Sequence, residues 1–342
     1  MTLSVTAGGF YGDCGKSVKV AYETIQDRID AAVGTQGPQH GGTVHYNGVV
    51  HKFRHLPASV FRPETELLMA VGSIIDKNVL LDEVHNKFKD YNVHERLRID
   101  ESATAILPRH IEAEAQLKKD IGSVGTGYSY ALADRVTRQR GILVKDVPEL
   151  KEYSEGVCVS DIVHDYLDEG KKVLIEGSQA TFLSNFHGEY PFVNGYDNTI
   201  PALLSQVGVG HQRLDNGYLL FKSFVTRVGD GYLEGELSPE ETVKRGWEER
   251  GTVTNRLRRA APFNIKLAKK AIRLNTPTDV VITKIDKLYP ENYQVREWDD
   301  LSHESRQWLD EIEQELKTPI TMVKTGPDIF DMVDVRYEKG TI

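Results

Sequence analysis

Apolar residues occur along the chain in short runs that alternate with amphipathic stretches. The first run, residues 3–7 (LSVTA), is partly β-branched and predicts a buried strand. Apolar positions at helical spacing then predict a helix over 17–33. A glycine-rich segment lies between the two, so the chain opens with a strand, a glycine loop and a helix.

The same two periodicities predict the remaining elements. Residues 43–46 and 49–53 form a hairpin around Asn47-Gly48, because this dipeptide tolerates the positive φ angles of a type I′ turn. The other predicted strands are 172–175, 219–225 and 279–282, and the other predicted helices are 65–88, 159–169, 264–275 and 301–317.

Strands that alternate with helices predict an α/β fold. We expect a single large domain over 1–342, with a central, mostly parallel β-sheet flanked by helices and a P-loop-like phosphate loop after the first strand. Functional groups of such a sheet gather at the carboxyl ends of its strands.

Residues 8–17 read GGFYGDCGKS and are predicted to bind phosphate. Backbone N–H groups and the helix dipole favour an anion at the start of the following helix. Lys16 adds a positive charge, and Ser17 adds a hydroxyl near the expected position of Mg²⁺. The loop departs from a Walker A motif, since Phe10 stands in place of its first glycine and a carboxylate, Asp13, lies inside it. We therefore expect an acid–base or metal role for Asp13; a glycine turn with a solvated Asp13–Lys16 pair is the alternative.

The composition narrows the class of protein. With 342 residues, 39% of them hydrophobic, the chain can bury a sizeable core. A formal net charge of −9 argues against a nucleic-acid partner. The two cysteines, Cys14 and Cys158, make no disulfide framework, and no apolar run reaches the roughly 18 residues of a membrane span. We expect a soluble, cytoplasmic protein without a membrane partner, in the host cytoplasm if the chain is viral.

Two arginine-rich segments are candidate anion sites. The loop 122–127 (GSVGTG) precedes three arginines within 135–140, although a solvated helix face explains these nearly as well. In the segment 251–259 (GTVTNRLRR), an extended backbone points Arg256 and Arg258 the same way. Two such guanidiniums can grip a dicarboxylate, or a carboxylate and a phosphate; a charged edge strand is the alternative.

Residues 280–286 (VVITKID) place a lysine and an aspartate just after a buried strand. The Asp286 carboxylate can accept hydrogen bonds from N1–H and the 2-amino group of guanine, and the stem of Lys284 can lie over the base. An ordinary ion pair at the strand end is an equal alternative for this motif alone.

Together these segments resemble the adenylosuccinate synthetase family, in its short, archaeal-like form. The family's opening motif, Gly-Asp-Glu-Gly-Lys-Gly, corresponds to 12–17. The other motifs that match, in family order, are 176–179 (EGSQ), 190–193 (YPFV), 226–229 (TRVG), 251–259, 283–286 (TKID) and 325–328 (TGPD).

The resemblance implies a homodimeric ligase that joins L-aspartate to C6 of a purine nucleoside monophosphate. A nucleoside triphosphate first phosphorylates O6 of the purine, and the aspartate amine then displaces that phosphate. Asp13 takes the N1 proton, Gln179 holds O6, and Arg138 reaches the acceptor phosphate of the partner subunit. Mg²⁺ is the implied cofactor.

The resemblance also implies a set of site residues. The catalytic residues are Asp13, His40 and Gln179. The donor-nucleotide residues are Gly12, Gly15, Lys16, Ser17, Gly41, Thr43, Lys284, Asp286 and Gly326. The acceptor-nucleotide residues are Asp13, Gln39, Val124, Arg138, Gln179, Asn194, Val228 and Arg256. The aspartate-binding residues are Thr252, Thr254, Arg256 and Arg258, and the Mg²⁺ ligands are Asp13 and Gly41.

Departures from the family pattern concentrate in the acceptor pocket. The family's catalytic histidine corresponds to Gly42, and His40 lies two residues earlier, where it can replace that histidine. The family's phosphate-binding threonines correspond to Val124 and Asn194. Each lost hydroxyl contact to a charged group costs about 1.5–3 kcal/mol. The pattern indicates a changed acceptor and an unchanged class of reaction.

Several functions therefore remain open from the sequence. Some phage relatives of the family join aspartate to dGMP, and the altered pocket slightly favours such an acceptor over IMP. The donor is GTP or ATP. A nucleotide-binding paralogue without ligase chemistry is an alternative, motivated by Gly42, and a GTPase-like switch ranks last because it leaves the arginine pair unexplained.

Overall fold

A computed structural model describes residues 2–120, 122–138, 141–251 and 255–342. Within these ranges nine strands form one sheet, in which every neighbouring pair is parallel except the pair at one edge. Helices pack on both faces of the sheet. The predicted α/β class, with its mostly parallel central sheet, is confirmed.

The strands have the following bounds. They are β1 (Leu3–Gly8), β2 (Ala31–Gly34), β3 (Gly42–Tyr46), β4 (Val49–Phe53), β5 (Glu66–Met69), β6 (Ile74–Ile75), β7 (Leu97–Ile99), β8 (Thr104–Ala105), β9 (Ile142–Leu143), β10 (Val173–Glu176), β11 (Asn216–Lys222), β12 (Phe224–Arg227), β13 (Arg259–Pro262), β14 (Asp279–Thr283), β15 (Ile320–Lys324) and β16 (Met332–Asp334). The large sheet has the order β16-β15-β14-β11-β1-β10-β2-β5-β7. The smaller sheets are β12-β13, β3-β4 and β6-β8-β9.

The α-helices have the following bounds. They are α1 (Lys16–Gln26), α2 (Lys77–Asp82), α3 (Val93–Arg96), α4 (Pro108–Asp120), α5 (Tyr128–Thr137), α6 (Lys151–Ser154), α7 (Val159–Asp168), α8 (Ile200–Val207), α9 (Pro239–Lys244), α10 (Ile265–Asn275), α11 (Ile285–Leu288) and α12 (His303–Leu316). A π-helical turn, Glu83–Lys87, follows α2 directly.

Strand β1 lies at the centre of the sheet, between β10 and β11. Its apolar residues point into the layer that contains α7, α8, α10 and α12. Its polar residues point toward α1, where the Ser4 hydroxyl donates to Glu23 (2.7 Å) and Lys19 donates to the Thr6 hydroxyl (3.1 Å). Because Lys19 and Glu23 pair in full burial, this polar layer is satisfied internally and holds α1 against β1.

The predicted helix over 17–33 is too long. Helix α1 ends at Gln26, Arg28 takes a left-handed conformation (φ 55°), and the chain re-enters the sheet as β2. The spacing of the small residues in β2 is compatible with either a helix or a strand. The segment forms a strand because it pairs with β10 on one side and β5 on the other, in the buried interior of the sheet.

The predicted helix over 65–88 is wrong for its first part. This stretch contains β5 and β6, and only 77–87 is helical. A strand that is buried on both faces reads as a continuous apolar run, which spacing alone does not distinguish from a buried helix. The apolar residues Leu67, Leu68, Ile74 and Ile75 of this stretch are nevertheless all buried in the core.

The other predictions hold with small shifts. The hairpin is present as β3 and β4, and Asn47 and Gly48 both have positive φ (51° and 75°). The predicted strand 219–225 is two strands, because the chain leaves the large sheet after Lys222 and β12 pairs with β13. Helices α7, α10 and α12 match their predicted positions, and Asn264 and Ser302 cap the last two.

In the described ranges, every helix is either too short or too polar to cross a lipid bilayer.

Candidate active site

A cavity of about 510 Å³ opens over one edge of the large sheet. The segments that follow β1, β10, β14 and β15 all contribute to its lining, together with the segment that leads into β3. Parallel α/β sheets present their variable loops at this edge, where the strands end. The predicted position of the site at the carboxyl ends of the strands therefore agrees with the cavity.

The glycine loop between β1 and α1 forms the floor of this cavity. Gly12, Asp13 and Gly15 have positive φ angles (93°, 49° and 80°), and Gly15 is the N-cap of α1. A Cβ on Gly9 would lie 2.1 Å from the Phe221 ring, so this position must be glycine for the loop to pass over β11. The Thr283 hydroxyl donates to the Cys14 carbonyl (3.0 Å) and ties the loop to the end of β14.

Lys16 is the first residue of α1 and is almost fully buried. Its ammonium donates to the Gln179 carbonyl (2.5 Å) and lies 3.8 Å from the Cys14 sulfur. Gln179 itself has a positive φ (59°). The loops after β1 and β10 are therefore joined through a lysine that lines the cavity.

Asp13 lies among cationic side chains at the cavity wall. Its carboxylate pairs with Lys222 (3.2 Å) and, at shorter range, with Arg258. Lys222 also donates to Glu249 (2.5 Å) and to the Thr226 hydroxyl (2.8 Å), and Arg258 pairs with Glu249 (2.9 Å). The two carboxylates thus share two buried cations, which fixes Asp13 in the pocket without burying it completely.

The ionisation of this cluster follows from its burial and charges. Burial lowers the pKa of Arg258 to about 10. Burial alone would raise the pKa of Glu249, but the charges of Lys222 and Lys284 outweigh it and lower that pKa. At neutral pH Glu249 and Arg258 are therefore both charged, so a negatively charged ligand can compete with the carboxylates of this cluster for Arg258.

His40 is buried against the same cavity. Its Nε2 lies 4.0 Å from the Glu176 carboxylate and has no hydrogen-bond partner among the described residues. Burial, reinforced by the charge of Lys16, lowers the pKa of His40 to about 3, so the imidazole is neutral. Burial raises the pKa of Glu176 to about 7, although Ser17 (2.8 Å) and the Ala58 N–H (2.7 Å) donate to its carboxylate.

Ser17 and Gly42 occupy one small volume between them. A Cβ on Gly42 would lie 2.3 Å from the Ser17 hydroxyl and 3.3 Å from His40 Nε2. A side chain at position 42 is therefore incompatible with this serine in its present position. The family pattern has histidine at position 42 and glycine at position 17, whereas this chain has glycine at 42 and serine at 17. These two differences are sterically coupled.

Most predicted acceptor residues also line the cavity. They are Asp13, Gln39, Val124, Gln179, Asn194 and Val228. Tyr128 lines it as well and prevents any side chain at position 37, since a Cβ there would lie 2.5 Å from its ring. The departures from the family pattern at Val124 and Asn194 therefore face the same cavity as Gln39.

The predicted donor residues are also brought to the cavity, with one exception. Gly12, Gly15, Lys16, Ser17, Gly41, Thr43, Lys284 and Gly326 line it. Asp286 lies in α11 just behind Lys284 and does not line it. Burial raises the pKa of Asp286, against the opposing charges of Lys284, Lys287 and Lys324.

The predicted arginines are separated from one another. Arg258 pairs with Asp13, whereas Arg256 donates to the Gly122 carbonyl (2.7 Å) and so connects to the loop that carries Val124. Arg138 is exposed at the end of α5 and does not line this cavity. Thr252 and Thr254 lie outside the described residues.

Sequence reasoning missed Lys222 and Glu249. Lys222 ends a buried strand, and nothing in its neighbourhood separates it from an ordinary polar strand end. Glu249 stands beside Glu248 in a charged run that is typical of a solvated surface. Only the packing of the strand ends brings both residues to Asp13.

The donor set of this cavity suits Mg²⁺. Asp13 and Gly41 both line the cavity, where a carboxylate and a backbone carbonyl offer hard oxygen atoms. Hard oxygen donors next to phosphate are the environment that Mg²⁺ prefers.

Comparison of the sequence with known proteins identifies one family. The family model described as adenylosuccinate synthetase matches residues 5–159 and 148–292. Adenylosuccinate synthetases of Methanosphaera stadtmanae and Archaeoglobus fulgidus are 39% and 38% identical to the chain. The alignments cover 99% of this chain in both cases, and 99% and 100% of the relatives.

Two solved structures share the fold at low sequence identity. Fully ligated adenylosuccinate synthetase from Plasmodium falciparum superposes with a TM-score of 0.89 at 20% identity, covering 98% of this chain and 100% of that one. Succinoaminodeoxyadenylate synthetase of cyanophage S-2L, bound to dGMP and dATP, has a TM-score of 0.80 at 23% identity, covering 99% and 98%.

Proposed function

Because the chain belongs to the adenylosuccinate synthetase family, whose members are C–N ligases, we propose that it joins L-aspartate to C6 of a 6-oxopurine nucleoside 5′-monophosphate. Hydrolysis of a nucleoside triphosphate drives the reaction. The observation that carries the proposal is Asp13: a carboxylate inside a phosphate loop, paired with Lys222 and Arg258 beside a nucleotide-sized cavity.

In the first proposed step Asp13 removes the proton from N1 of the bound purine. The electron pair moves to O6, which attacks the γ-phosphorus of the triphosphate; an O6–P bond forms, and the bond to the β,γ-bridging oxygen breaks. Lys16 and the loop amides stabilise the charge of the transferred group. Mg²⁺, held by Asp13 and the Gly41 carbonyl, would supply further charge neutralisation at the phosphates.

In the second step the amine of L-aspartate attacks C6. A C–N bond forms, the C6–O6 bond breaks, and inorganic phosphate leaves. Arg258 is positioned to take a carboxylate of the aspartate, at the expense of its present pair with Asp13. Binding of aspartate would then release Asp13 for proton transfer, which makes the base available only when the second substrate is present.

His40 takes the place of the family's catalytic histidine in this proposal. Its unpartnered Nε2 lies beside the loop, close to Ser17 and Gly42. A neutral imidazole still offers one N–H donor, which can stabilise negative charge on O6 or on the transferred phosphoryl group.

For the donor we propose GTP. The loops after β14 and β15 bring Lys284 and Gly326 to the cavity, and Asp286 follows Lys284 in α11. A carboxylate in this position suits the N1–H and 2-amino group of guanine.

For the acceptor we propose dGMP as the preferred substrate. Gln39 and the two departures from the family pattern at Val124 and Asn194 line the same cavity, which supports a changed acceptor. IMP is the second candidate, because relatives with the name adenylosuccinate synthetase are up to 39% identical over the full chain.

A substrate panel tests both the reaction and the acceptor. The protein is incubated with Mg²⁺, L-aspartate and either GTP or ATP, together with IMP, dIMP, GMP or dGMP. We expect a succinylated purine nucleotide by mass spectrometry, with the highest kcat/KM for dGMP. A higher kcat/KM for IMP than for dGMP would show that IMP is the acceptor. Absence of product with every acceptor, from folded protein, would contradict the proposed ligase activity.

A further inference from the structure

Two histidines and a glutamate converge at the edge of the sheet beyond β7, away from the nucleotide cavity. His85 lies in the π-helical turn, His94 in α3 and Glu152 in α6. One nitrogen from each imidazole and one carboxylate oxygen lie within 4.8 Å of one another. This is the one such group of metal-ligating side chains within the described ranges.

A buried tyrosine holds the two imidazoles in place. The Tyr153 hydroxyl lies 2.8 Å from His94 Nδ1 and 3.3 Å from His85 Nε2, and the tyrosine is 2% exposed. The His94 and Tyr153 rings meet edge to face, with centroids 5.6 Å apart. A hydroxyl has one proton, so it donates to only one imidazole at a time. The hydroxyl therefore bridges the two imidazoles and keeps their ring nitrogens close together.

Glu152 completes the group from the next residue of α6. Its carboxylate lies 3.6 Å from His94 Nδ1. The side chains of His94 and Glu152 are both about half exposed (54% and 57%), so a hydrated ion can reach them. Contraction around an ion, to ligand distances of about 2.0–2.2 Å, requires only rotamer shifts of these exposed side chains.

We propose that His85, His94 and Glu152 bind one divalent metal ion of the zinc class. Two imidazole nitrogens and a carboxylate oxygen are a donor set typical of Zn²⁺. Mg²⁺ binds such a set poorly, because it prefers hard oxygen ligands to imidazole. A fourth position is left for water or for the Tyr153 hydroxyl.

The ligands come from three short, separate helical segments, so an ion would cross-link them. Segments of four or five residues have little stability of their own. The expected consequence is stabilisation of this sheet edge in proportion to metal concentration, without participation in the ligase site.

Zinc titration of the full-length protein tests the site. Protein stripped with a chelator is titrated with Zn²⁺ by calorimetry, and its melting temperature is followed in parallel. We expect one equivalent to bind with a dissociation constant in the micromolar range and to raise the melting temperature. Glu152→Gln, which keeps the shape of the side chain, should weaken binding about tenfold.

Matched histidine variants distinguish this site from adventitious binding. His85→Ala/His94→Ala should lose the bound equivalent and the thermal shift. His211→Ala/His303→Ala removes two exposed histidines elsewhere and should bind as the wild type does. Equal binding by both double variants, or no binding tighter than about 100 μM in the wild type, would overturn the proposal. If the first double variant fails to fold, Glu152→Gln decides: unchanged binding by that variant overturns it as well.

Co²⁺ gives an independent spectroscopic readout. Nitrogen ligation of Co²⁺ produces visible absorption bands that the His85→Ala/His94→Ala variant should lack. Bands of the same intensity in that variant would place the ion elsewhere and contradict the assignment.

Discussion

At the residue scale, the pocket is built around charges that are already compensated. Asp13 is held by Lys222 and Arg258, and Glu249 shares both of these cations. Burial disfavours the charged form of the Glu249 carboxylate, but the neighbouring cations outweigh this effect and lower its pKa. A substrate carboxylate that engages Arg258 would therefore alter the environment of the base directly.

Asp13→Asn is expected to abolish the chemistry while leaving donor binding largely intact. Asparagine keeps the shape of the side chain but does not accept a proton, and Glu249 remains to balance Lys222 and Arg258. Loss of a general base lowers kcat by about 10²–10⁴-fold. Single-turnover product formation and donor binding by fluorescence measure the two effects. Near-normal turnover would place the base elsewhere.

Exchange of the Ser17/Gly42 pair tests the role of His40. Gly42→His alone should lose activity or stability, because its Cβ would lie 2.3 Å from the Ser17 hydroxyl. Ser17→Gly combined with Gly42→His removes this contact and should restore turnover. In the wild-type background His40→Ala should lower kcat about a hundredfold, whereas in the exchanged background it should change little. An unchanged kcat of His40→Ala in the wild type would make His40 a bystander.

Glu176 is expected to make stability depend on pH. Its pKa is about 7 in the folded protein and near 4.5 in the unfolded chain. The folded state therefore binds more protons between these values, and this residue makes the protein less stable as pH rises from about 4.5 to 7, by up to about 3 kcal/mol. Denaturant unfolding of Glu176→Gln across this range should give a flatter pH profile than the wild type. Parallel profiles would contradict the shift.

At the element scale, a buried side-chain carboxylate accepts hydrogen bonds from backbone N–H groups at the end of a strand. Glu83 opens the π-helical turn and is fully buried. Its carboxylate accepts the backbone N–H groups of Arg54 (2.5 Å), His55 (2.9 Å) and Leu56 (3.0 Å), just after β4. Burial raises the pKa of Glu83, although these three hydrogen bonds oppose the shift. One side chain thus anchors the hairpin to the turn.

Glu83→Ala is expected to destabilise the protein by about 3 kcal/mol or more, because buried donors lose their acceptor at a cost of about 1–3 kcal/mol each. Asp82→Ala is the matched control: it removes the neighbouring carboxylate, which pairs with Lys87 at the surface (2.9 Å), and should cost about 0.5 kcal/mol. Chemical denaturation, with one m-value used for the wild type and both variants, measures the change in the free energy of unfolding for each substitution. Equal costs would show that the buried hydrogen bonds contribute little.

Elements that were mispredicted share one physical cause. Residues 31–34, 66–69 and 74–75 form buried strands, so their sequences lack the alternation that marks a half-exposed strand. The β3–β4 hairpin was predicted correctly because its turn is specified locally by Asn47-Gly48. Helices α10 and α12 carry their own caps and amphipathic faces, and their positions also followed from the sequence.

At the scale of the whole molecule, Arg138 is a proposed acceptor residue that does not line the cavity of its own chain. Arg138 is exposed at the end of α5, beside Val136, which is 69% exposed. If Arg138 binds the acceptor phosphate, it does so in a second subunit. The proposed homodimer is therefore a requirement of the proposed chemistry.

Subunit complementation tests this requirement. Arg138→Ala and Asp13→Asn should each be inactive alone. Mixed in equal amounts after dissociation, they should recover about a quarter of wild-type activity, since half of the dimers are mixed and each has one intact site. Sedimentation confirms the assembly state. Dimers that fail to regain activity would assign Arg138 to its own subunit or to no site.

The sequence by itself determined the class of fold, the glycine loop and the ordered family motifs, because each depends on local spacing or on residue identity. That Ser17 leaves no room for a side chain at position 42 was decided by the tertiary structure. Only the tertiary structure decided which groups meet: Lys222 and Glu249 with Asp13, Arg256 with the Gly122 loop, and His85 and His94 with Tyr153. Those contacts join segments far apart in the chain, and their geometry follows from how parallel strands order themselves in the sheet, which no local pattern specifies.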